Sequence, residues 1–78
     1  FIGGGISDAL LHRLWQSLPA GTRLVCNGVT LEAEALLINW QLEKGGELLR
    51  IELSQMAPLG SKRAWKSNFP ILQWSCTL

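Results

Sequence analysis

The chain has no tyrosine, one histidine and one methionine, and only 17% of its 78 residues carry charge. Each shortage removes a class of function. His12 has no second histidine with which to share a metal, and Cys26 and Cys76 lie far apart with no CxxC, which excludes a zinc ribbon or a disulfide framework and predicts two buried, reduced thiols. No metal site is expected. None of the serines sits in a GxSxG elbow, and there is no GxxxxGK loop followed by Ser or Thr, so hydrolase and nucleotide-triphosphatase readings have no residues to stand on. The formal net charge of +1 supplies no global field to gather nucleic acid or an anionic membrane. No apolar run nears the roughly 18 residues of a membrane span, and the opening lacks the basic start and cleavage site of a secretory signal. The expected compartment is the cytoplasm.

What the chain does have is core. It is 47% hydrophobic and carries four tryptophans. A domain of this size buries only about 60% of its unfolded surface. So apolar a composition fits a piece of a larger core. The opening Phe1-Ile2-Gly3-Gly4-Gly5-Ile6-Ser7-Asp8 reads as the end of a strand turning into a helix. Phe1 is no initiator methionine and two apolar residues precede the glycines, so the expectation is a strand, and with it a half-domain, continuing upstream.

From Ser7 as N-cap and Asp8 in the first turn, apolar residues recur at Leu10, Leu11, Leu14, Trp15 and Leu18, which predicts a helix ended by Pro19-Ala20-Gly21. Arg23 to Cys26 fits a short strand. Asn27-Gly28 alone is a hairpin signal, yet the residues after it have a helical pattern: Thr30 can cap, Glu32 and Glu34 suit the first turn, and Ala33, Leu36, Leu37 and Trp40 share one face. A second apolar set, Ala35, Ile38 and Leu42, predicts a helix covered on more than one side. Glu47 to Met56 alternates, with Leu49, Ile51 and Leu53 opposite Arg50, Glu52 and Ser54, which predicts a strand. A loop is expected over 57–68, holding Pro58, Gly60 and the Lys62-Arg63-Ala64-Trp65-Lys66 cluster. Ile71 to Thr77 then alternates as a last strand. Strand, helix, strand, helix, strand, strand predicts an α/β fold with parallel crossovers and an antiparallel final pair.

In such a sheet ligands bind beyond the carboxyl ends of the strands, where Gly3-Gly4-Gly5 and Asn27-Gly28-Val29-Thr30 both fall. Two glycine turns leading into helix N-termini on one edge would line a pocket with backbone N–H groups; the plainer alternative is two ordinary tight turns. A dinucleotide fingerprint is disfavoured, since Gly3-x-Gly5-x-x-Asp8 lacks the third glycine and no acidic residue stands near Cys26-Asn27. Glu32 and Glu34, two apart on a helix, do not share a face and make a poor acid–base pair. His12 stands alone in the first helix with no acidic or thiol partner at a catalytic spacing, and reads as a solvent-facing or packed histidine. The cluster from Lys62 to Lys66, with Trp65, suits an anionic or aromatic ligand but has too few charges for nucleic acid; a solvated loop is the simpler account.

The stretches FIGGGISDALL (1–11), RLVCNGVTLEAEALL (23–37) and GGELLRIELSQMAPLGSKRAWKSNFPILQWS (45–75) together resemble the C-terminal part of the precorrin C5,15-methyltransferase (decarboxylating) and cobalt-precorrin C15-methyltransferase family of cobalamin biosynthesis. The resemblance covers essentially the whole chain. It implies the C-terminal half of a Rossmann-like class I methyltransferase sheet, using S-adenosylmethionine on a carboxylate-rich tetrapyrrole, the precorrin, in a homo-oligomeric enzyme. On that template residues 1–78 are a partial domain whose cofactor loop and ribose-binding acid belong to the other half, so the chain alone should be inactive. By the same resemblance Gly3, Gly4 and Gly5 lie beside the cofactor, and Asn27, Thr30 and Glu32 face the tetrapyrrole. No residue is assigned as catalytic. Two other classes stay open at this point: a non-catalytic module pairing through an exposed sheet edge, and a fragment of a dinucleotide oxidoreductase.

Overall fold

The computed structural model describes residues 1–78 as α1 (Asp8–Ser17), β1 (Arg23–Gly28), α2 (Leu31–Lys44), β2 (Glu47–Ile51), β3 (Ser54–Leu59), β4 (Lys62–Ser67) and β5 (Ile71–Thr77). Both helices start at the residues whose chemistry suits a cap. The Ser7 hydroxyl oxygen accepts from the Leu10 N–H at 3.1 Å, and the Thr30 hydroxyl oxygen accepts from the Ala33 N–H at 3.0 Å. Helix α1 stops at Leu18, which turns extended because a helical residue before Pro19 would clash with the proline ring. Helix α2 stops at Gly45, at φ +78, whose N–H still reaches the Gln41 carbonyl at 2.8 Å.

Strands β1, β5 and β2 form one sheet in that order, with β5 antiparallel to both neighbours. The final pair is antiparallel as expected, and β1 and β2 run parallel as a crossover through α2 requires. They are not neighbours, however, because β5 inserts between them. The opening strand contributes a single parallel bridge, Ile2 to Cys26, secured by Ile2 N–H to Val25 O at 2.8 Å and Asn27 N–H to Ile2 O at 2.9 Å.

Alternation on β1 and β5 sends Leu24, Cys26, Leu72, Trp74 and Cys76 toward the helices, where they join Leu11, Leu37 and Trp40 in one core. Both cysteines are buried and free, as expected. Trp74 is wholly buried, stacks on Trp15 at 6.1 Å with an 8° interplanar angle, and donates its indole N–H to the Gly45 carbonyl at 2.8 Å. Trp40 donates to Asp8 Oδ1 at 2.8 Å, joining the two helices through the first turn of α1. Every buried indole nitrogen thus has an acceptor, which is the condition for placing tryptophan in a core.

Three expectations are corrected. The strand foreseen over Glu47 to Met56 is two strands: pairing ends at Ile51 with Ile71, because the next residue on the partner is Pro70, which has no N–H to donate. The loop foreseen over 57–68 is mostly strand, since β3 and β4 make a hairpin with Met56 opposite Trp65 and Gly60 turning at φ +61. The second apolar face of α2 is bare: Ala35, Ile38 and Leu42 are all exposed, Leu42 by 81%. The core seals only the side of α2 that meets β1 and β5. Likewise Leu49 shares a sheet face with Gln73, away from the helices, while Arg50 points toward them and meets Glu34 at 3.1 Å. The hairpin stands clear of this body and contributes to a molecule 55 Å long and about 20 Å across its other two axes (21 and 19 Å).

Candidate functional site

Gly28, where β1 ends, is opposite Leu72, and Ile51, where β2 ends, is opposite Ile71. Both carboxyl ends therefore share one edge of the sheet. A cavity of about 480 Å³ opens there, lined by the turn Gly3 to Ile6, the turn Asn27 to Thr30, and Glu32, Ala33 and Leu36 of α2. All six residues singled out from the sequence, Gly3, Gly4, Gly5, Asn27, Thr30 and Glu32, are brought together on it. The volume lies within the roughly 300–1,000 Å³ of small-molecule sites.

The glycines leave the main chain uncovered. At Gly4 and Gly5 an added Cβ would meet nothing within 4 Å, and Gly5 holds φ +67, a backbone that side chains resist. A ligand can therefore lie directly against these peptide groups. Gly28 serves the opposite purpose: a Cβ there would stand 2.8 Å from the Ala33 Cβ, so its absence lets β1 run close under the first turn of α2. That close approach holds Thr30 and Glu32 beside the glycine turn.

The polar groups divide by role. The Thr30 oxygen accepts from Ala33 N–H, which leaves its O–H free to donate outward. Glu32 is exposed and adds a carboxylate. Asn27 is half-buried; its Oδ1 accepts from Gln73 Nε2 at 2.9 Å. Gln73, which sequence reasoning did not single out, lies outside the cavity lining and is linked to it through this bond to Asn27. Its signal was there, an amide between Leu72 and Trp74 on an alternating strand, but only the register sets it opposite Asn27.

Elsewhere, His12 is a solvent-facing residue that also packs on its neighbours. Its Nε2 lies 3.2 Å from Asp8 Oδ2, one helical turn back, and its ring meets Trp40 edge-on at 4.9 Å. Because Asp8 also holds Trp40, this cluster joins α1 to α2. Lys62, Arg63 and Lys66 with Trp65 lie on β4, on a hairpin that leaves the sheet from the same edge as the cavity. Burial pushes the Cys26 thiol up to about 11, so it stays protonated and unreactive in the core. No group of acidic, thiol and imidazole side chains is arranged to hold a metal ion.

The sequence profile described as the precorrin methyltransferase domain matches residues 1–78. The chain is 41% identical over 78 residues to a precorrin-6Y C(5,15)-methyltransferase (decarboxylating) of Sinorhizobium sp., and 44% identical to the enzyme of that name from Mycobacterium tuberculosis. In each case 99% of this chain is aligned with about a fifth of the relative, 19% and 20% respectively. Among solved structures, the C-terminal domain of precorrin-6Y C5,15-methyltransferase from Rhodobacter capsulatus superposes with a TM-score of 0.94 at 52% identity, over 100% of this chain and 42% of that one. A corresponding domain described as a precorrin-6Y C5,15-methyltransferase from Corynebacterium diphtheriae gives 0.92 at 35% identity, over 99% and 46%. The fold is thus the Rossmann-like half foreseen from the sequence, and neither the interaction module nor the dinucleotide fragment gains support.

Proposed function

Because this chain belongs to the precorrin methyltransferase domain family, we propose that it forms the substrate-side half of a decarboxylating precorrin C-methyltransferase of cobalamin biosynthesis. The observation that carries the reading is the convergence of two strand-end turns, Gly3–Gly5 and Asn27–Thr30, on one cavity. The residues fit one wall of an S-adenosylmethionine site. Bare peptide groups at Gly4 and Gly5 admit a ligand against the main chain, while the remaining cofactor contacts fall to the rest of the protein.

S-adenosylmethionine supplies an electrophilic methyl group when bound. The work of this chain is then to place a nucleophilic ring carbon of the precorrin against it, and positioning of this kind is worth several powers of ten in rate. Asn27 and the Thr30 O–H suit the carboxylate side chains of the tetrapyrrole, and Glu32 suits its pyrrole N–H groups. Loss of an acetate carboxyl as carbon dioxide draws on the macrocycle as electron acceptor and asks no nucleophile of the protein. That agrees with a cavity lined by no thiol, histidine or lysine.

A homo-oligomer belongs to the same reading. What supports it is the hairpin, where Met56, Leu59 and Trp65 are exposed on a two-stranded ribbon that buries little by itself. The experiment is methyl transfer by the full-length protein that contains this chain, supplied with S-adenosylmethionine and precorrin-6Y and followed by mass spectrometry of the tetrapyrrole. Methylated, decarboxylated product is expected. Unchanged precorrin under conditions where the cofactor binds would refute the assignment.

A further inference from the structure

We propose that the β3–β4 hairpin is the electrostatic arm of this site: Lys62, Arg63 and Lys66 gather a polycarboxylate tetrapyrrole at the edge of the sheet where the cavity opens. The inference rests on the reading of the cavity as a precorrin site, and it supplies the positive charge that the cavity itself lacks.

A ligand that carries many carboxylates needs cations near its site, and the cavity wall has none. Its one charged lining residue is Glu32, which is acidic. The cations of the main body are engaged or lie away from the cavity. Arg50 pairs with Glu34 at 3.1 Å, and Lys44, at the far end of α2, sits over the Trp15 ring at 5.2 Å. Arg23 begins β1 at the opposite edge of the sheet, and Arg13 lies on α1, which leads from the glycine turn toward that edge. The three remaining cations are all on the hairpin.

Segment 54–67 contains no acidic residue and has a charge of +3, whereas the rest of the chain carries four basic and six acidic side chains, a net of −2. Nothing offsets the hairpin charges locally. All three residues are exposed, and neither ion pair of the chain includes them. Lys62 and Lys66 flank Ala64 on one face of the ribbon, and Arg63 lies on the other face with Trp65. The arm starts close to the cavity. Ile51 and Ile71 meet on the cavity edge, and β2 is two strand spacings, about 10 Å, from β1. Gln55, the partner of Lys66, is four residues past Ile51 and so at most about 14 Å beyond it. These spans amount to about two screening lengths at physiological salt. The field of the unpaired charges therefore reaches the cavity mouth and concentrates a polyanion there.

The test is steady-state kinetics of the full-length enzyme with precorrin-6Y over a range of ionic strength. Lys62→Gln, Arg63→Gln and Lys66→Gln together should lower kcat/KM for precorrin-6Y about tenfold in dilute buffer, and the difference should shrink to about twofold in salt that screens the charges. Neither kcat nor KM for S-adenosylmethionine, itself a net cation, should move by more than about twofold. Charge and shape are separated by Lys62→Arg, Arg63→Lys and Lys66→Arg together, which should act as the unaltered enzyme does. Arg13→Gln with Arg23→Gln removes charge away from the cavity edge and should leave kcat/KM within about twofold. Assembly mass in analytical ultracentrifugation should be the same in all. An unchanged kcat/KM in the glutamine variant, a loss that salt does not diminish, an equal loss in the charge-conserving variant, or a loss accompanied by a smaller assembly overturns the role of the hairpin while leaving the enzyme's identity standing. Failure of the unaltered enzyme to act on precorrin-6Y at all overturns the site reading and this inference with it.

Discussion

Single residues in this chain are constrained by what stands within a few ångströms of them. Gly28 is the sharpest case, since a methyl group there would come 2.8 Å from the Ala33 Cβ and 3.4 Å from Leu37 Cδ1, both on α2. Gly28→Ala must push α2 away from β1 and should cost about 1–3 kcal/mol, as overpacking does. Chemical denaturation of the full-length protein measures this; an unshifted midpoint would show that the close approach is not required. Cys26 gives the pH dependence. Its thiol ionises at about 11 in the folded chain against 9.0 when free, because burial disfavours the thiolate. The unfolded chain therefore loses its proton first, so this contribution is complete below about pH 9 and is lost as pH rises toward 11. Cys26→Ala should flatten that alkaline fall in the denaturation midpoint. A fall as steep as in the unaltered protein would place its cause at other groups.

At the scale of elements, the helices stand where their caps put them and the hairpin where its turn puts it. Thr30 supplies one capping bond to α2, at 3.0 Å to Ala33 N–H, so Thr30→Ala should lower stability by about 1 kcal/mol in the same measurement. Loss of several times that amount would mean that Thr30 also holds the glycine turn opposite. The β3–β4 hairpin is paired within itself and joins the body at its base, where Asn68 N–H reaches Leu53 O at 2.9 Å. Replacing 54–67 by a short link should leave the tryptophan core and its near-UV spectrum intact while lowering the mass of the full-length assembly in analytical ultracentrifugation. An unchanged mass would remove the hairpin from any subunit interface. Gly60-Ser61 between two runs of strand-like length is a hairpin signal in the sequence, but Pro58 and the basic cluster obscure it. Proline is tolerated there because both strands are edges.

For the whole molecule, the sheet is covered on one face only, and the chain spans about a fifth of its curated relatives. If, as proposed, the other wall of the cavity lies outside these residues, this chain should not hold the cofactor by itself. The isolated 78-residue polypeptide is expected to give no heat on titration with S-adenosylmethionine, whereas the full-length protein binds it. Binding by the polypeptide alone would place the whole cofactor site within these residues.

Local chemistry settled much of this protein in advance. Ser7, Thr30, Pro19 and Gly45 delimit the helices through bonds and clashes spanning at most four residues, so the helices and the glycine turns were legible from spacing alone, as was the alternating face of β5. Long-range pairing was not legible in this way. The entry of β5 between β1 and β2, the bare outer face of α2, the Asp8–His12–Trp40 cluster and the opposition of Gln73 to Asn27 all join residues distant in sequence or depend on what covers a surface. A polar residue on an alternating strand carries the same local signal whichever strand lies beside it. Only the tertiary register decided that the amide beside Asn27 is Gln73.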